Sequence, residues 1–123
     1  MESFIYTFNV DKKICNGLID YHKKNKEYRV KGFSTNNDIR EINKNIKDSI
    51  DVYFYNQSQN KIIQNYFIEL SKGLNSYLDK YKISSFVNTE MINNIQYYPP
   101  NGGYKVWHCE RNSLDTSKRF LAY

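Results

Sequence analysis

One segment constrains the fold more than any other. Ile62, Ile63, Tyr66, Phe67, Leu70, Leu74, Tyr77, Leu78 and Tyr81 recur at helical spacing over about twenty residues. An α-helix puts all of them on one side, and a stripe that wide has to be buried against other parts of the chain. The 12 Tyr, 7 Phe and single Trp supply enough apolar surface to cover it, which excludes a disordered tail. With 123 residues there is room for one domain of ordinary size.

Other elements follow from local pattern. Phe4-Ile5-Tyr6-Thr7-Phe8 has the β-branched and aromatic content of a short strand. Asp11 is placed to cap a helix running to residue 24, with Ile14, Cys15, Leu18, Ile19 and His22 as its apolar stripe and Gly17 weakening its middle. His22, near the end of that helix, reads as a partly exposed surface residue. From residue 25 to 58 the pattern weakens: Gly32, Ser34, Asn36 and Asn37 mark loop, and Ile39, Ile42 and Ile46 line one face of a short helix. Ile50-Asp51-Val52-Tyr53-Phe54-Tyr55 reads as a strand.

After Lys82 the character turns extended: Phe86-Val87, then residues 91–98, closed by Pro99-Pro100-Asn101-Gly102-Gly103, a turn that no helix crosses. Residues 104–110 resume as a strand, 111–117 as a polar loop, and 118–123 as the start of another strand. Neither an internal repeat nor a linker interrupts the chain, so it reads as a single domain over 1–123.

Charge and cysteine content narrow the function classes. Eighteen basic residues against thirteen acidic give +5, but the lysines are scattered in short groups broken by Asn, Asp and Glu, the pattern of a solvated surface. Cys15 and Cys109 form no CxxC pair, which argues against a zinc knuckle or a disulfide scaffold. No apolar run approaches the length of a membrane helix and the first residues are acidic where a signal peptide is basic, so a soluble, cytoplasmic protein is the expectation.

In a strand, residues two apart share a face, so His108 and Glu110 would project together, with Cys109 and Trp107 on the other side and Trp107 in the core. An imidazole nitrogen and a carboxylate oxygen are two of the three protein groups in a 2-His-1-carboxylate iron site. The surrounding string, Gln96-Tyr97-Tyr98-Pro99-Pro100-Asn101-Gly102-Gly103-Tyr104-Lys105-Val106-Trp107-His108-Cys109-Glu110, resembles the entry to the iron site of the 2-oxoglutarate and Fe(II)-dependent dioxygenases, in their prolyl 4-hydroxylase-like branch. The strand and Cys-containing helix of residues 4–24 and the segment Lys47-Asp48-Ser49-Ile50-Asp51 look similar to that family as well.

The resemblance implies an α+β fold in which N-terminal helices, within residues 1–84, support the first strands of a double-stranded β-helix, or jelly roll, within 85–123. It implies His108 and Glu110 as metal ligands for Fe(II), Tyr98 as a hydrogen-bond donor to 2-oxoglutarate, and Tyr104 at the substrate mouth. The family hydroxylates a C–H bond, proline in a peptide or protein for the prolyl branch, while 2-oxoglutarate is decarboxylated to succinate and ascorbate keeps the iron reduced. Glu110 stands where most relatives carry Asp. The family's second iron histidine and its 2-oxoglutarate-binding basic residue lie on later strands, so the expectation is a truncated barrel, inactive alone and completed by a C-terminal segment or another chain. Two competing readings remain: a basic, tyrosine-rich module stacking single-stranded nucleic acid on Tyr97, Tyr98, Tyr104 and Trp107, and a structural or interaction protein in which His108 and Glu110 are ordinary surface residues.

Overall fold

The computed structural model describes residues 3–36, 39–84, 87–111, 114, 116–119 and 121–122. In chain order these form α1 (Lys12–Lys24), a 3-10 turn (Lys26–Tyr28), β1 (Arg29–Lys31), β2 (Ser34–Asn36), β3 (Ile39–Glu41), β4 (Lys47–Asp48), β5 (Ile50–Tyr55), α2 (Lys61–Lys80), β6 (Ile92–Tyr97) and β7 (Gly103–Tyr104). One sheet has the order β1-β5-β6, and β2–β3 and β4–β7 are separate antiparallel pairs. The fold is mixed helix and sheet, α+β, and among the described residues no sheet closes into a barrel. No described helix is long and apolar enough to cross a membrane. The chain divides into two compact units, Met1–Tyr28 with Val52–Ile95, and Arg29–Asp51 with Gln96–Tyr123.

The first unit is built on α2. Asn60 caps it, its side-chain oxygen accepting from the amides of Ile62 (2.9 Å) and Ile63 (3.4 Å). The stripe read from the sequence supplies the core: Ile63, Leu70 and Tyr77 are buried together with Val52 and Phe54 of β5, whose neighbours Tyr53 and Tyr55 alternate outward. Asp11 caps α1 by accepting from Lys13 N–H (2.7 Å). The inward face of α1 is Ile14, Gly17, Leu18, Tyr21 and His22, while Cys15 and Ile19 are exposed, so the stripe is rotated from the expected one. Gly17 is the point of approach to α2: a Cβ there would lie 2.6 Å from Ile62 Cδ1. His22 is buried, at 7% exposure, against the expectation of a surface residue.

Residues 4–8 form no strand. They run extended along α2, where Tyr81 donates its hydroxyl to the Ser3 carbonyl (2.8 Å) and Tyr77 to that of Phe4 (3.3 Å). Phe4 packs on Tyr81 and Tyr6 meets Tyr77 edge-on. Their β-type composition is suited to a half-buried surface of any kind, and a helix face of tyrosines provides one in place of a sheet.

The second unit has a polar interior. Lys47, Ser49 and Asp51 sit at alternate positions of one extended run and point the same way. Lys47 Nζ lies 3.0 Å from Asp51 Oδ2, Ser49 Oγ donates to Asp51 Oδ1 at 2.7 Å, and Asp51 is wholly buried. The helix expected over Ile39, Ile42 and Ile46 is absent. Ile39 lies in β3, paired with Asn36, and both Ile39 and Ile42 are largely exposed. Asn43 then closes a turn by accepting the Asn45 amide (3.0 Å). A helical spacing of three isoleucines had no second row to support it, and Asn-rich surroundings favour turns.

Candidate functional site

The site belongs to the second unit and starts from the Pro-Pro-Asn-Gly-Gly turn. Gly102 N–H donates to the Pro99 carbonyl at 2.7 Å, and Asn101 takes the left-handed conformation at φ 64° that asparagine tolerates. Both glycines are required here. A Cβ on Gly102 would meet the Asp48 carbonyl oxygen at 2.7 Å, and Gly103 has φ 146°. The turn delivers β7 onto β4, with Asp48 opposite Gly103 and Lys47 opposite Tyr104, and Lys105 N–H adds a last bond to the Ile46 carbonyl (2.7 Å).

The ladder stops there, so the strand expected over residues 104–110 is only its first residue long. The cause is the partner: residues 43–46 are a turn, closed by Ile46 and Lys47 amides on the Asn43 carbonyl, and offer nothing for residues beyond Lys105 to pair with. Alternation therefore fails, and Trp107, expected in the core, is fully exposed. Of the strand expected at 118–123, Lys118, Arg119, Leu121 and Ala122 are not in a strand; Phe120 and Tyr123 lie outside the described residues, as does Phe86.

His108 and Glu110 nevertheless converge, by loop curvature. His108 Nε2 is 3.1 Å from Glu110 Oε1, and both side chains are open to solvent. The other ring nitrogen faces the Val106 carbonyl at 3.4 Å, and the second Glu110 oxygen is 3.5 Å from Arg119 Nη1. Tyr104 stacks flat on the imidazole, centroids 3.8 Å apart and planes 18° from parallel. Tyr98 follows β6, partly exposed, and donates its hydroxyl to Gln96 Oε1 at 2.6 Å. Partial burial first, then the charges of Asp51, Tyr104 and Glu110, push its phenol above the ordinary tyrosine value, so Tyr98 stays a neutral donor well past neutral pH.

An imidazole nitrogen and a carboxylate oxygen are donor types that divalent cations take. The two atoms, 3.1 Å apart, are in direct hydrogen-bond contact with each other. A carbonyl behind the second imidazole nitrogen is the usual orienting partner of a ligating histidine. Among the described residues no group of three His, Cys, Asp or Glu is poised around one point, so the pair by itself would hold a metal weakly.

Sequence reading missed Arg119 beside Glu110 and the buried Lys47–Ser49–Asp51 group. The latter had a signal, three polar residues at period two running into an apolar strand. A scan against protein-family models, a search of curated proteins and a search of solved structures each find no match to this chain.

Proposed function

We propose that the chain carries the first half of the iron site of a 2-oxoglutarate and Fe(II)-dependent dioxygenase, acting on a C–H bond with proline in a peptide or protein as the substrate class. In this reading β6 and β7 are jelly-roll strands, and a completing segment or chain supplies the second histidine and the basic residue for the far carboxylate of 2-oxoglutarate. The single observation that carries it is the 3.1 Å hydrogen-bond contact of His108 Nε2 with Glu110 Oε1, which brings an imidazole nitrogen and a carboxylate oxygen to one point, where a cation would take the place of the bond between them.

His108 and Glu110 would hold the iron by one face. The Val106 carbonyl orients the ring through Nδ1, Arg119 steadies the second Glu110 oxygen, and Tyr104 fixes the imidazole plane and shields it on one side. Tyr98, a neutral phenol, would turn its hydroxyl from Gln96 Oε1 to a carboxylate oxygen of 2-oxoglutarate. Bound iron with 2-oxoglutarate supplies the oxidising chemistry, and ascorbate would keep the metal reduced.

Anaerobic titration with Fe(II), or with Mn(II) in air, tests the reading. Wild-type chain takes up one ion weakly, and His108→Ala and Glu110→Ala each lose at least about tenfold in affinity. Equal uptake by all three proteins would remove the proposal. With two protein ligands the chain alone turns over no 2-oxoglutarate, and succinate formed by it would count against the incomplete site.

A further inference from the structure

A separate cavity of about 470 Å³ lies within the first unit, in the size range of sites for small organic molecules. Its walls are aromatic rings and carboxamides: Tyr21, Tyr28, Tyr53 and Tyr55 beside Asn25 and Asn56. Tyr28 and Tyr55 are mostly exposed, at 65% and 59%.

Asn56 marks what the ligand must offer. Its backbone N–H is used by the Met91 carbonyl (3.0 Å), and its side-chain NH2 reaches Thr89 Oγ1 only at 3.4 Å. Its Oδ1 is buried with no hydrogen-bond partner. Turning the amide over does not help, because an amide carries one acceptor and one two-proton donor, and the exchange leaves the donor unmet instead. The terminal torsion of asparagine is soft, so a small rotation presents the group to a molecule in the cavity. A donor for Oδ1 and an acceptor for Nδ2, side by side on a flat ring, is the edge that adenine presents to asparagine.

We infer that this cavity is a binding site for an adenine base, stacked on Tyr28 and Tyr55 and read by Asn56. The base can come from a free nucleoside or nucleotide or from a single strand, since stacking on tyrosine is common to all. The site is independent of the His108–Glu110 pair.

The experiment is calorimetric or NMR titration of the full chain with adenosine, AMP, purine riboside, oligo(dA) and oligo(dT). Adenosine binds saturably and at least about tenfold more tightly than purine riboside, which keeps the stacking ring but lacks the N6 donor of the two-bond contact. Tyr28→Ala and Tyr55→Ala, both at exposed positions, each weaken adenosine about tenfold without lowering the melting temperature appreciably. Asn56→Ala brings adenosine down to the level of purine riboside. Tighter binding of AMP than adenosine adds a phosphate contact to the base site, and stronger binding of oligo(dA) than oligo(dT) names a single strand as the source. No binding of adenosine, equal binding of purine riboside, or adenosine affinity unchanged in the Tyr28→Ala/Tyr55→Ala double variant overturns the inference.

Discussion

Asp51 is the residue on which the interior of the second unit turns. Wholly buried and held by Lys47 and Ser49, it is tolerable only while paired, because a lone carboxylate cannot be desolvated cheaply. Lys47→Met should therefore cost about 3–5 kcal/mol, read as a drop in urea midpoint. Replacing both partners, Lys47→Met/Asp51→Leu, should cost less than the single change. A single-variant loss under about 1 kcal/mol would show that the pair is open to water. Tyr66 gives a prediction in pH. Burial first, then Cys15, raises its phenol above the ordinary value. A group whose proton is held more tightly in the folded chain contributes stability that is complete below about pH 10 and is lost as pH climbs through the folded-state value. Alkaline melts of wild type should fall more steeply above pH 10 than those of Tyr66→Phe, and parallel curves would contradict the assignment. At this scale the sequence was a partial guide. The convergence of His108 and Glu110 was expected from strand alternation and comes from a loop, which is why Trp107 was placed in the core and stands in solvent.

At the scale of elements, α1, α2, β5 and β6 were legible because each carries a long periodic pattern or a β-branched run bounded by caps and turns. The short strands β1 to β4 were not, since two or three residues, mostly exposed in β1 and β3 and polar in β2 and β4, leave no period to read. Residues 4–8 had the right composition for a strand and found a helix. Their attachment can be tested at Gly73, the buried residue of α2 under Phe8, where a Cβ would run into the Phe8 ring. Alanine is favoured over glycine within a helix by about 1 kcal/mol, yet Gly73→Ala should destabilise wild type by displacing that ring. In a Phe8→Ala background the same change should become stabilising. Equal effects in both backgrounds, measured by chemical denaturation, would show that Phe8 does not pack on α2 in solution.

For the molecule as a whole, the two units differ in what fills them: aliphatic and aromatic side chains around α2 in one, a buried ion pair and hydroxyl in the other. Amide exchange should be slowest in α2 and at Val52 and Phe54, and fast from Val106 to Glu110, where no backbone ladder exists. Protection across 106–110 like that of a strand would restore the alternation that the site geometry denies. The central claim is that His108 and Glu110 form one metal-binding edge, and paramagnetic broadening by substoichiometric Mn(II) reads it directly. Amide signals of Tyr104, His108 and Glu110 should weaken first, and His108→Ala should abolish that effect. Broadening that begins at exposed carboxylates such as Asp79 and Glu90, with the signals of residues 104–110 unchanged, would contradict it.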